Sequence, residues 1–292
     1  MNLYKVTIIP KSNFSSKLKG DQLFGQFCWA VRYNLGEERL KELLGNYEQQ
    51  PFIIFSDAFA KDFLPKPSLS SKLLNEDAKE KKQNRKKIWL TLNQLQKGEF
   101  TKAKTDDEIK NLDKESIIIR NSINYFTFTT GDGFDPYSKD EFSLSSKDIY
   151  ILLDEEQFNL SDFLKVFKFL SQMGYGADTT IGKGVFEFKE PKKIDIDFFA
   201  TTFMALSAFS PYGLKCKKIF YEPFVKFGKN GYDRAYTNPF KKPLIFANSG
   251  AVVVFDKKQK LQFIGKAIKN ISTYKDIVHQ GYTILLPIKD IQ

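Results

Sequence analysis

The sequence is poor in the residues on which most enzymes and small stapled domains rely: one histidine, two cysteines and two tryptophans in 292 residues. Cys28 and Cys216 lie far apart and neither belongs to a C-x-x-C pair, which argues against a disulfide framework or a zinc site and suits a reducing cytosol. Each is expected to be a small core residue. With His279 the single histidine, Ser-His-Asp, Cys-His and HExxH arrangements are impossible or incomplete. Its strand-like context, VHQGYTILLP, favours a structural role; as a general base for RNA cleavage it would need a partner that the sequence does not identify. The acids Asp132, Asp135 and Glu141 lack metal-ligand spacing and read as a solvated loop, so no metal or cofactor is expected. Long apolar runs are missing as well. The longest, FFATTFMALSAF from Phe198, is too short and too rich in hydroxyls to span a bilayer, and the opening MNLYKVTIIPKS alternates like a strand rather than a signal peptide, so a cytoplasmic protein without a membrane partner is expected.

Present in quantity are positive charge and aromatic rings. Lys and Arg number 45 against 35 Asp and Glu, a formal charge of +10, which favours polyanionic partners without naming one. Phenylalanine (29) and tyrosine (13) exceed what stacking platforms would need, so most must lie in a core while some remain free for unpaired bases. At this length, with 42% hydrophobic residues, one large or two medium domains are expected.

The pattern opens with a strand from about Leu3 to Pro10 and a helix starting near the cap-capable Asp21, with Leu23, Phe27, Ala30 and Val31 on one face. A second helix from Glu37 carries Leu40, Leu43 and Leu44 and closes at Gly45. A strand from Phe52 follows, and LPKP (64–67) ends regular structure. An insertion over about 68–115, most charged at 72–87, reads as mobile and solvated. Strands from Asn121 (NSINYFTFTT) and Asp148 (DIYILL) flank a long connection with an Asp132-Gly133 turn, the signature of a protruding hairpin. A helix capped by Ser161 with Leu164, Phe167 and Leu170 then leads through glycines into VFEF. The succession β-α-(α)-β-β-α-β is ferredoxin-like, the plan of RNA-recognition modules. The fold class is therefore α+β, with a first domain at 1–192 and, at 193–292, a mostly β second domain that reads as a degenerate copy.

The stretch from Gly174 to Gly184 carries the most chemistry. Gly174, Gly176, Gly182 and Gly184 surround Thr179, Thr180 and Lys183, so backbone amides, hydroxyls and a cation can approach a phosphate together. A Walker loop is excluded because Gly176 and Gly182 enclose five residues rather than four and Lys183 precedes Gly184. A dinucleotide fingerprint is excluded because Thr179 stands at its third glycine and the order is helix-loop-strand. A second constellation at 215–242 sets Lys226, Lys229, Arg234, Lys241 and Lys242 among Phe224, Phe227, Tyr232, Tyr236 and Phe240, the mixture of charge and ring faces that single-stranded RNA needs.

At these motifs the sequence resembles a known family, the RAMP-superfamily subunit of type III-A CRISPR (Csm) effector complexes that caps the 5′ handle of the guide RNA. The resemblance rests on GDQLFGQFCWAVRYNLGEERL (20–40), FSDAFAKDFLPKP (55–67), RNSINYFTFTTGDG (120–133), GYGADTTIGKGVFEF (174–188) and FVKFGKNGYDRAYTNPFKKP (224–243). It implies two ferredoxin-like domains with the crRNA handle in a groove between them, a β-hairpin thumb, and docking on the large polymerase-like Csm subunit and a backbone RAMP subunit. It implies no catalytic role and no cofactor; the alternative is a RAMP endoribonuclease that processes precursor crRNA. Carried over to this chain, Gly174, Tyr175, Gly176, Thr179, Thr180, Gly182, Lys183 and Gly184 would bind the handle. Lys226, Lys229, Asn238, Phe240, Lys241 and Lys242 would line the groove, and Thr130, Gly131 and Phe134 would belong to the thumb. The chain departs from the family pattern at Tyr125, where arginine is usual, and at Phe134, which follows the GDG turn without an apolar pair, so a shorter thumb is expected.

Overall fold

A computed structural model describes residues 1–291 apart from 132 and 237. The chain begins with β1 (Asn2–Pro10), α1 (Gly20–Leu35) and α2 (Glu37–Gly45), followed by the short strands β2 (Ile53–Phe55), β3 (Phe59–Ala60) and β4 (Leu64–Pro65). The insertion holds α3 (Lys81–Lys86), β5 (Trp89–Leu90) and α4 (Leu92–Lys97), and a two-stranded hairpin of β6 (Lys114–Arg120) and β7 (Tyr137–Ser143) projects beyond it. Then come β8 (Lys147–Leu153), α5 (Leu160–Met173), β9 (Phe186–Phe188) and β10 (Lys192–Lys193).

Every strand pairing in the first sheet is antiparallel. β1 lies between β8 on one side and β9 and β10 on the other, and β8 pairs in turn with β2 and β3. Helices α1 and α5 follow the predicted apolar spacing. α1 buries Leu23, Phe24, Phe27, Ala30 and Val31, and α5 buries Phe163, Val166, Phe167 and Leu170. Their rings interlock with those of the strands: Phe27 meets Phe55, Phe158 and Phe163 at 5.3–5.8 Å, and Phe167 stacks on Phe163 at 5.1 Å. Each such ring, fully withdrawn from water, contributes roughly 1.5–3 kcal/mol.

The rest of the chain is a second antiparallel sheet, and among the described residues no α-helix follows Met173. It consists of β11 (Phe199–Ala205), β12 (Lys218–Phe220), β15 (Val252–Lys260), β16 (Phe263–Ile268) and β17 (His279–Pro287), in the order β12-β15-β11-β17-β16, with a separate ribbon of β13 (Pro223–Lys226) and β14 (Leu244–Ala247). Side-chain alternation splits this sheet cleanly. Met204, Val252, Ile284 and Leu286 join the same core as Phe24 and Phe27, whereas Phe203, Val253 and Leu285 form a smaller cluster on the opposite face. β17 is buried along its whole length, the polar His279, Gln280 and Thr283 included. At the junction of the sheets, the Gln280 amide mimics a strand partner: it accepts from the Phe55 N–H (3.0 Å) and donates to the Phe55 carbonyl (2.9 Å).

Several expectations are corrected. NSINYFTFTT is not a strand. The paired strands are 114–120 and 137–143, and 121–131 lie at the hairpin's tip, with Tyr125, Phe126 and Phe128 exposed. Alternation there has no neighbouring backbone to pair with. The insertion is folded rather than loose beyond residue 87: Leu90, Leu95, Phe100 and Ala103 are buried, and Thr91 and Gln94 form a reciprocal capping box on α4. Regular structure ends inside LPKP, at Pro65, although Leu64 and Pro65 themselves pair with Leu90 and Trp89. Helix α5 is capped by Asn159, whose side chain accepts from Asp162 N–H at 2.8 Å, and not by Ser161. Asp21 does not cap α1; its carboxylate is committed elsewhere. Of the predicted Asp132-Gly133 turn, Asp132 lies outside the described residues, and Gly133 has a positive φ of 83°.

Candidate nucleic-acid interface

Between α1, the glycine-rich loop and the segment that follows β13 runs a groove of about 820 Å³. Gln22, Gln26, Trp29 and Arg32, one or two turns apart on α1, form one wall; Gly176, Thr179 and Thr180 form a second; residues 226–236, Lys241 and His279 close the third. The floor is ionic. The carboxylate of Asp21, almost wholly buried, pairs with Lys226, and His279 Nε2 lies 3.1 Å away without hydrogen-bond geometry. Burial opposes the charge on Asp21, but His279 and Lys226 outweigh it and hold its pKa well below the carboxylate range. His279, stacked on Phe246 at 5.6 Å, is driven by burial below the usual histidine value despite Asp21, so it is neutral at pH 7. Burial also pulls the Lys241 amine below the ordinary lysine value, with Asp21 opposing and Lys226 reinforcing.

Cations along the groove differ in what they face. Arg32 is tied to Glu37 and Asp233, Arg234 to Asp276, and Lys226 to Asp21. Lys229 instead stands over the Phe240 ring at 5.0 Å, and among the described residues neither it nor Lys241 has a carboxylate partner. Aromatic rings accompany them: Trp29 lies 5.2 Å from Tyr232 and 6.0 Å from Tyr33, with Phe227, Tyr236 and Phe240 exposed at the rim. Asn238 and Lys242 are exposed, the first accepting from Phe240 N–H and the second bonded through its backbone to Ile271.

The glycine loop separates into a closed neck and an open tip. At the neck the Tyr175 N–H donates to the Gly184 carbonyl (2.9 Å), and a Cβ on Gly184, whose φ is 75°, would sit 2.0 Å from the Tyr175 oxygen. Gly174 is similarly crowded by the Lys183 carbonyl. Tyr175 departs from the expectation of a ligand contact. Its ring is fully buried, and its hydroxyl binds Gln22, the Lys17 carbonyl and the Lys19 N–H. Lys183 faces away from the groove to pair with Glu141 of the hairpin. At the tip, Thr179 and Thr180 line the groove, Gly176 N–H donates to Gln26 Oε1 (3.1 Å), and Gly182 has open space around it. Asp178 ties this loop to the hairpin through Arg120 (2.9 Å) and Lys139 (2.6 Å). Thr130 and Gly131 lie exposed at the hairpin tip and Phe134 is half-buried, its N–H donating to the Gly131 carbonyl. These three are not part of the groove.

No family model matches the sequence, and no curated protein matches it. Its fold, however, is similar to that of solved structures along nearly the whole chain. A chain in the crystal structure of a Csm1-Csm4 cassette in complex with pppApA superposes with a TM-score of 0.61 at 17% identity, covering 98% of both chains. One in the same cassette in complex with AMPPNP gives 0.61 at 18%, with the same coverage. A chain of a Csm3-Csm4 subcomplex in the type III-A CRISPR-Cas interference complex gives 0.59 at 15% identity, covering 98% of this chain and all of that one. What these likenesses establish is the fold, a mixed helix-and-sheet architecture of that type. No helix among the described residues is long and apolar enough to cross a membrane.

Proposed function

We propose that this chain is a crRNA-holding subunit of a type III-A CRISPR interference complex, which grips the 5′ repeat-derived handle in the groove and caps the backbone without cutting RNA. The observation that carries this reading is the groove itself: Lys229 and Lys241, without a salt-bridge partner among the described residues, stand beside an aromatic wall and a threonine-bearing glycine loop. Charge for phosphates and rings for bases, with no motif for a nucleoside triphosphate, suit a single strand. Its likeness to chains from Csm1-Csm4 and Csm3-Csm4 assemblies supports a polymerase-like subunit and a backbone RAMP subunit as protein partners, in the cytoplasm. On this reading residues 1–192 and 193–292 are two ferredoxin-like units, the second reduced to its sheet, and the β6–β7 hairpin is the thumb.

The test is binding and cleavage of labelled repeat-derived RNA and scrambled RNA at two salt concentrations. Handle-preferring binding without cleavage is expected, with Lys229→Ala and Lys241→Ala each lowering the log-log salt slope by about 0.7. Specific cleavage abolished by His279→Ala would replace this reading with the processing endoribonuclease.

A further inference from the structure

The insertion carries a charged surface that the groove does not use. Residues 79–87, KEKKQNRKK, hold six cations and one acid, Glu80. Lys79, Lys81, Lys82, Arg85 and Lys86 are exposed, and among the described residues none of the five forms an ion pair. Helix α3 thus sets like charges one turn apart, Lys81 with Arg85 and Lys82 with Lys86, an arrangement that destabilises a helix. The solvent-facing side of α2 does the opposite, pairing Lys41 with Glu37 and Glu38, and Arg39 with Glu42. Nor is the segment a loose tether. Lys66, just after β4, pairs with Glu76 (2.7 Å) and donates to the Asn84 carbonyl (2.7 Å), the Asn84 amide donates to the Asp77 carbonyl (3.0 Å), and Leu74 is buried. The cations are therefore presented together on a frame fixed to β4.

We propose that α3 and its flanks bind the phosphate backbone of a second RNA strand, whatever its sequence and separately from any strand in the groove. None of these residues lines the groove. The occupant follows from what the surface contains. Protein interfaces are depleted in lysine and centre on aromatic anchors, whereas here lysine dominates and, among the described residues from 72 to 87, no large apolar side chain is exposed. With no ring to stack on a base, charge alone remains, and charge holds phosphates without reading bases. A polyanion laid along α3 also relieves the repulsion between its like-charged turns. The site adds a second strand to the RNA-holding role proposed above.

The experiment saturates the full chain with unlabelled repeat-derived RNA and titrates labelled polyuridine at several salt concentrations, with polyadenosine and polyglutamate as competitors. The parent chain is expected to bind polyuridine with its groove filled. Lys81→Gln, Lys82→Gln, Arg85→Gln and Lys86→Gln together, which keep good helix formers in α3, should weaken that binding about tenfold or more and lower its log-log salt slope by about 3, with handle affinity unchanged. A control chain with Lys257→Gln, Lys258→Gln and Lys260→Gln, exposed lysines of β15, should bind polyuridine as the parent does. No binding by the filled parent chain, undiminished binding by the four-site variant, an equal loss in the β15 control, or displacement by polyglutamate as readily as by polyadenosine overturns the second-strand site. Loss of handle preference in the parent chain overturns the functional reading alone, because the contrast between the two variants is read equally on the empty chain.

Discussion

Asp21 and Asp178 do the same job at different depths. Each carboxylate spans a junction: Asp21 pairs α1 with Lys226 of the β13 ribbon and lies 3.1 Å from His279 of β17, and Asp178 joins the glycine loop to the hairpin through Arg120 and Lys139. The side chain of Asp21 is 2% exposed and that of Asp178 14%. A sealed pair punishes the loss of either member, because the survivor remains charged in a poor solvent, whereas a pair that touches water can part and rehydrate. The comparison therefore separates a permanent fastening between the sheets from a latch that can open, and the groove lies between them.

The sharpest way to break this contrast is Asp21→Ala. Stranding Lys226 beside neutral His279 is expected to cost about 3–5 kcal/mol in chemical denaturation; a loss below about 1 kcal/mol would make Asp21 no different from a surface acid. Next in size is the contrast between neck and tip of the glycine loop. Gly184→Ala forces a Cβ into the Tyr175 carbonyl and should cost about 3 kcal/mol, while Gly182→Ala, with a φ of 81° but open surroundings, should cost about 1 kcal/mol. Equal losses would mean that the neck yields more readily than its geometry implies. The smallest effect concerns pH. For Asp178 burial opposes ionisation, but Lys139 and Arg120 outweigh it and lower its pKa. A lowered folded-state value means that the latch contributes fully above the unfolded aspartate pKa, about 3.9, and loses its contribution as pH falls through the lower folded value. Amide protection in 114–120 and 137–143 should accordingly hold from pH 7 to about 4 and drop below that, and Asp178→Asn should lower it by about 1 kcal/mol at pH 7. Hairpin protection that is the same at pH 6 and pH 3 would sink the latch.

Much of the first sheet and its helices could be read from spacing, because Leu23, Phe27, Ala30 and Val31 or Phe167 and Leu170 recur on one face, and a helix must bury such a stripe; Phe163 and Val166, not Leu164, complete the stripe of α5. Cap positions were harder: Asn159 and Ser161 are both competent, and only the burial of Phe163 and Phe167 sets the register. The tip, 121–130, misled because alternation reports that two faces differ, not that a partner strand exists. For the interface, the glycine loop was legible, but the fate of individual residues was not. Nothing in the sequence distinguishes Tyr175, sunk into the core, from an aromatic offered to a base. Conversely, Trp29 and Arg32, three residues apart on α1, become a wall only when the segment after β13 crosses them, a relation some two hundred residues long. Tyr232 was legible as one of the rings of the 215–242 constellation and Asn230 falls inside the 224–243 motif, but their burial against Trp29 and Ser272 is set only in three dimensions.

The Gln280 clamp and the burial of β17 also bear on how the chain is made. β17 follows every other described strand in chain order, yet it completes the second sheet, covers the Phe24 face of α1 and supplies the side chain that closes the edge of β2. During synthesis the first sheet and its helices therefore wait with an apolar side uncovered, and the groove lacks His279. Ribosome-bound chains stopped before His279–Pro287 are therefore left with a bare α1 face and an unfinished groove.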